Sequence, residues 1–115
     1  MTHARQNGRA ARSAYSICRE WRQVHLKAAY EVSVADEHDD EATALIIAVA
    51  DASKHELERD LADATMTVVD DPHAVLGIAL TLLSEGIADE RVTHLIGIAR
   101  RGMIAMDAAN QRRAA

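Results

Sequence analysis

The feature that most constrains this chain is the rarity of residues that break helices. No glycine or proline lies between Gly8 and Pro72, and the whole sequence has five glycines and one proline. Folds built on β-sheets need frequent turns, which these two residue types commonly supply. The sequence therefore predicts an all-α single domain over residues 1–115. We expect a small bundle of four helices, or of five if one helix breaks.

Apolar spacing and capping residues place the four helices. They are predicted at about 9–31, 38–64, 72–85 and 89–111, with residues 1–8 flexible and residues 112–115 frayed. Within the second helix, the stretch Ser53-Lys54-His55-Glu56 has the form of a capping box. The sequence therefore leaves open whether the helix breaks near Asp51, although the unbroken apolar phase favours a single helix.

Three of the helices carry an apolar stripe suited to a core. The first helix has Ala14, Ile17, Trp21, Val24 and Ala28 at helical spacing. The second has a heptad-like seam of Ile46, Ala50, Ser53, Leu57, Leu61 and Ala64. The last keeps one phase through Val92, Leu95, Ile96, Ala99, Met103 and Met106. These stripes predict which faces are buried.

The third helix has the clearest end signals. Asp71 followed by Pro72 is typical of an N-cap acid before a proline in the first helical position. Gly86 favours a left-handed cap at the other end, after which Ile87 can fold back on the last turn. Because apolar residues cover most of this helix, we expect it to be central or to face another chain.

More large apolar residues are present than one small core can cover. This excess predicts a non-catalytic protein that acts through protein–protein interaction, with self-association as a homodimer or contact with another protein. The predicted interface residues are Leu26, Tyr30, Leu76, Leu80, Ile98 and Ile104.

An acidic cluster precedes the second helix. Its carboxylates are Asp36, Glu37, Asp39, Asp40 and Glu41. Acidic residues at a helix N-terminus oppose the positive end of the macrodipole, so the simplest interpretation is a solvated helix start. The alternative is an acidic inhibitor that docks on a basic partner protein.

The segment from Leu82 to Met103 resembles a known DNA-binding motif. It reads Leu-Leu-Ser-Glu-Gly-Ile, then Val92, then Ile-Gly-Ile-Ala-Arg-Arg. In the helix-turn-helix of LuxR-type transcription regulators, a leucine pair and Glu-Gly close one helix. A positioning helix, a turn and a recognition helix follow.

The resemblance implies a positioning helix over 89–96, a turn at Gly97 and DNA contact from Arg100 onward. The DNA-binding candidates are Arg100, Arg101, Asn110, Gln111, Arg112 and Arg113. The alternative is simple helix packing, in which Gly97 or Gly102 permits a close helix crossing. A single helix over 89–111 remains open.

Catalytic, metal and cofactor chemistry find little support. Cys18 is the only cysteine and adjoins the apolar stripe, so we expect a buried inert thiol in a reducing compartment. Asp51, His55 and Glu58 have helical spacing, as do Glu90 and His94, but such pairs are common on polar helix faces. We predict no enzyme, no metal, no cofactor and no small-molecule substrate. Without a signal-peptide core or an apolar run long enough to cross a membrane, a cytoplasmic location is expected.

Overall fold

A computed structural model describes residues 12–114 and confirms the all-α fold. The four helices of this part of the chain are α1 (Ala14–Val34), α2 (Asp40–Asp60), α3 (Asp70–Ser84) and α4 (Glu90–Ala114). A short 3₁₀ turn, Leu61–Asp63, follows α2. The flexible segment predicted for residues 1–8 lies outside the described residues.

The first two helices differ from their predicted bounds. α1 begins at Ala14, and not at residue 9, because Ser13 is in extended conformation and its hydroxyl accepts the Ser16 N–H at 3.1 Å. It also continues to Val34 through β-branched residues. α2 begins after Asp39, whose carboxylate accepts the Ala42 N–H at 3.0 Å, and it does not break near Asp51.

The start of α3 corrects the prediction for Asp71. The helix begins at Asp70 with Val69 as its N-cap, so Asp71 is not the cap. The buried Asp71 carboxylate instead accepts backbone N–H groups from Tyr15 at 2.9 Å, Thr67 at 3.0 Å and Val68 at 3.2 Å. Asp71 therefore joins the first turn of α1 to the segment that precedes α3.

The end of α3 confirms the prediction for Gly86. Gly86 has φ +82°, its N–H donates to the Leu83 carbonyl, and the Ile87 N–H donates to the Leu82 carbonyl at 3.0 Å. This is the Schellman arrangement, which satisfies two carbonyls of the last turn. Ile87 then packs against the core, as expected.

α1 and α2 form one antiparallel pair, α3 and α4 form another, and α3 packs against α1. The core contains the predicted stripe residues Ile17, Trp21, Leu57 and Leu61, together with much of α3. α3 is nevertheless not buried all round, since Leu80 and Leu83 are exposed. The molecule is elongated, with extents of 64 × 34 × 21 Å.

The phase predicted for the last helix is partly wrong. Ile96 and Met103 are exposed, whereas Ile98 lies in the core. The reason is that α4 contacts two neighbours: it packs on α3, while Ile98 lines a cleft beside Leu61 of the 3₁₀ turn. The buried face of α4 is therefore rotated from the predicted stripe towards Ile98, which leaves Ile96 and Met103 exposed.

Candidate functional site

The far halves of α1 and α2 form a helical pair without a buried residue. Along the described chain, the last buried residue of α1 is Trp21 and the first of α2 is Ala50. Residues 22–49, named here the distal hairpin, therefore extend beyond the core. The two helices pack against each other, while at the base Val24 packs against the core and His25 contacts Glu85 after α3.

The distal hairpin is rich in exposed large apolar side chains. Leu45 is 64% exposed, Val49 59% and Tyr30 67%. Leu45 and Val49 line the same open groove, and an exposed apolar patch on a soluble protein can mark a binding surface. The members of this exposed set on the hairpin are Leu26, Tyr30, Val34, Leu45, Ile47 and Val49.

The residues predicted from sequence as an interface do not form one surface. Leu26 and Tyr30 are exposed on the distal hairpin, whereas Leu80 is exposed on α3 and Ile104 on α4. Leu76 is half-buried against the core. The assignment of Ile98 to a partner surface is wrong, because only 4% of this residue is exposed.

An open groove runs along one side of the distal hairpin. It is about 360 Å³ in volume, and within residues 12–114 all the residues that line it belong to α1 and α2. The floor is apolar, with a lysine and a glutamate on the α1 side. The lining residues are Val24, Lys27, Ala28, Glu31, Leu45, Ile46, Val49, Ala50 and Ser53.

The opposite side of the hairpin is occupied by a polar network. His25 places one ring nitrogen 3.0 Å from Lys54 Nζ and the other 2.8 Å from a carboxylate oxygen of Glu85. The His25 ring stacks on Trp21, and Lys54 Nζ lies 5.2 Å from the centre of the Trp21 ring. Asp51 lies 3.6 Å from Lys54 Nζ. Each of these polar groups therefore has a partner within the chain.

A second part of the network joins α2 to α4. Glu58 is buried and accepts both Nε and Nη2 of Arg91, at 3.0 and 2.8 Å, while Trp21 Nε1 donates to it at 2.9 Å. The hydrogen bond from Arg91 to Glu58 raises the pKa of the guanidinium above its ordinary value. Glu58 is therefore a buried carboxylate that is paired with Arg91 at the base of the distal hairpin.

Sequence reasoning missed this network. Glu58 and Lys54 look like solvent-facing residues in an acidic helix, and Arg91 follows a turn. The only signal was position: Lys54 and Glu58 each adjoin a seam residue, Ser53 and Leu57. Adjacency to a seam allows burial, but it does not identify the partner on a distant helix.

The acidic candidates form the tip of the distal hairpin. All five are exposed: Asp36, Glu37, Asp39, Asp40 and Glu41. Two of them have local roles, since Asp36 accepts the His38 N–H and Asp39 caps α2. Asp40 and Glu41 occupy the first turn of α2, where their charge opposes the helix dipole. The tip therefore has the features expected of a solvated helix start.

The DNA-binding candidates all lie on α4. The helix passes through Gly97 without a turn, so the separate positioning and recognition helices implied by the resemblance are absent from the described chain. Arg100 and Arg101 are exposed in the middle of this helix, as is Asn110 nearer its end. At that end Gln111 donates to Asp107, Arg113 contacts Asn110, and Arg112 is exposed.

Gly102 has a packing role. A Cβ built at this position would lie 2.0 Å from the Met66 sulfur, so the glycine permits the segment before α3 to approach α4. The same construction at Gly97 meets only the end of the flexible Arg101 side chain, at 3.4 Å. The close helix crossing expected at Gly97 or Gly102 does not occur in this part of the chain; Gly102 instead makes room for the Met66 side chain from the segment before α3.

Among the remaining chemistry-bearing side chains, His55, Glu58, Glu90 and His94 line one open cleft of about 670 Å³ between α2 and α4. Burial raises the pKa of the Cys18 thiol to about 12, an effect that Arg22 opposes and Asp71 reinforces. Within residues 12–114, no three His, Cys, Asp or Glu side chains are arranged to hold a metal ion. In the same range, no helix combines the length and the apolar character needed to cross a membrane.

Comparison with protein-family models, with curated proteins and with solved structures finds no match to this chain, so its function has to be inferred from its own residues.

Proposed function

We propose that this chain acts through protein–protein contact without catalysis, and that its partner on the distal hairpin is a second copy of itself. The observation that carries the proposal is the hairpin's lack of any buried residue from 22 to 49, despite six large exposed apolar side chains. The reducing compartment expected from the single buried Cys18 is part of the same proposal.

Energetics favour covering the hairpin. Fully burying a side chain the size of Leu removes on the order of 100 Å² of apolar surface from water. Six such side chains, each about half to two-thirds exposed, present roughly 350 Å² per copy, of which the two that line the open groove, Leu45 and Val49, supply about a third. A second hairpin laid on the first converts two exposed pairs into a four-helix arrangement with a shared core.

The open groove is the better face for this contact. Its floor is apolar, whereas the other side of the hairpin carries His25, Lys54 and Glu85, which already bind one another. Burying that network would remove charges from water without new partners for them, which costs free energy. A contact through the groove side would remove only the two charged residues at its edge from water.

Sedimentation velocity over a concentration series tests the proposal. The wild-type chain should approach twice its 12.5 kDa mass at micromolar to submillimolar concentration. Leu45→Asp should remain a monomer, because each dimer loses two buried leucines worth roughly 1.5 kcal/mol apiece, or more than about 100-fold in the dissociation constant.

Leu80→Asp is the matched control. Leu80 is 65% exposed and Leu45 64%, so both substitutions change an equally accessible leucine, but Leu80 lies on α3 away from the groove. The control should dimerise like the wild type. A wild-type chain that stays monomeric throughout overturns the proposal, as does a Leu80→Asp variant that loses the dimer while Leu45→Asp keeps it.

A further inference from the structure

We propose that the two copies pack groove to groove in antiparallel orientation about a two-fold axis, with Lys27 of each copy paired to Glu31 of the partner subunit. The inference rests on the proposed self-association and adds its geometry.

The two charged residues at the groove edge, Lys27 and Glu31, can pair with the same two residues of a second copy. Lys27 and Glu31 both line the open groove, and neither has an ion-pair or hydrogen-bond partner within the described chain. On one helix, lysine four residues before glutamate is the less favourable order for a pair. In a two-fold contact between antiparallel copies of α1, residues at equal distances from the axis meet. With the axis at the height of Ala29, each Lys27 therefore faces the partner's Glu31.

The apolar side of the groove has the same symmetry. Leu45 and Val49 line it on α2, also four residues apart, and their midpoint is Ile47. Ala29 and Ile47 both line the opposite side of the hairpin, so the two midpoints lie on the same stretch of it. A single axis therefore brings Lys27 to the partner's Glu31 and Leu45 to the partner's Val49.

The acidic tip favours this orientation over the parallel one. With the two hairpins parallel, five exposed carboxylates at one tip would adjoin five at the other, which repel. The antiparallel orientation directs the two tips to opposite ends of the dimer. Within residues 12–114, neither α3 nor α4 contributes to the lining of the groove.

Charge reversal tests the inference. Lys27→Glu alone and Glu31→Lys alone should each raise the dimer dissociation constant at least 10-fold, since each creates two like-charge contacts per dimer. The double variant, Lys27→Glu with Glu31→Lys, should return within about 3-fold of the wild type because the pair is restored with its signs exchanged.

Mixing gives the sharper result. Lys27→Glu mixed with Glu31→Lys should form a heterodimer tighter than either homodimer, because both contacts become opposite-charge pairs. Glu56→Lys is the control, since Glu56 is exposed on α2 but does not line the groove. A mixture of Lys27→Glu with Glu56→Lys should show no such gain.

The outcomes separate the two proposals. A wild-type dimer whose affinity is unchanged by either single reversal, or single variants that do not combine on mixing, overturns the antiparallel geometry and leaves self-association standing. A monomeric wild type overturns both.

Discussion

The indole N–H of Trp21 donates to Oε2 of Glu58 at 2.9 Å, and both residues are buried. Arg91 binds both oxygens of the same carboxylate. One charged side chain of α2 thus joins α1 to α4 at the base of the distal hairpin, where the core ends.

We expect Arg91→Ala to destabilise the fold by about 3 kcal/mol, since it leaves the buried Glu58 carboxylate without its cation. Glu58→Gln should cost less, because the amide oxygen can still accept the Trp21 N–H. Urea unfolding followed by Trp21 fluorescence measures both. The exposed Arg100→Ala is the control and should lie within about 0.5 kcal/mol of wild type. If Arg91→Ala costs no more than this control, Glu58 is not the charged junction described here.

Asp71 should make stability depend on acid pH. Burial raises the pKa of this carboxyl, but the N–H groups of Tyr15, Thr67 and Val68 together bring it below its ordinary value of 3.8. The ionised form is thus favoured in the folded state, and its contribution is complete above 3.8 and lost as the pH falls through the lowered pKa.

Asp71→Asn should accordingly lose about 2 kcal/mol at pH 7, where charge-assisted hydrogen bonds are removed. The difference from wild type should shrink as the pH falls below 3.8. Urea midpoints at several pH values between 7 and 3 provide the comparison. A constant difference over this range contradicts the assigned role of the ionised carboxylate.

Cys18 should be inert in the native protein. With a pKa of about 12, its thiolate fraction at pH 8 is on the order of 1000-fold below that of a free cysteine. Ellman's reagent should react within seconds in denaturant but only slowly in buffer. Rapid reaction of the whole sample in buffer, without unfolding, contradicts the burial of this side chain.

Gly97 and Gly102 should respond differently to alanine. Gly97→Ala should stabilise the fold by up to about 1 kcal/mol, because alanine is the better helix former and the site has room. Gly102→Ala should be destabilising relative to Gly97→Ala, since the new methyl group displaces Met66. Thermal melting of both variants compares them directly. A melting temperature lowered by Gly97→Ala would indicate a turn at that position.

Much of the fold was predictable, because the apolar spacing along an amphipathic helix indicates which face is buried. The stripe from Ala14 to Trp21 and the seam through Leu57 and Leu61 are buried as expected. Gly86 also forms the predicted cap, since a helix end before glycine depends on local geometry.

The errors occur where distant contacts decide the outcome. Asp71 has the local sequence of an N-cap, but the Tyr15 N–H of another helix is among its hydrogen-bond partners. Ile98 is buried because α4 meets both α3 and the 3₁₀ turn, which spacing within one helix cannot reveal. The groove combines residues from two helices, so the apolar spacing within either helix could not predict it. It was recognised only from the folded chain, in which residues 22 to 49 are not buried.

Hydrogen exchange at two protein concentrations tests the central claim, association through the distal hairpin, most directly. Amides of residues 22–49 should become more protected as the concentration rises from below to above the dissociation constant, while those of α3 should not change. Exchange in residues 22–49 that is independent of concentration, in a sample shown by its mass to be a dimer, would contradict the account and place the contact elsewhere.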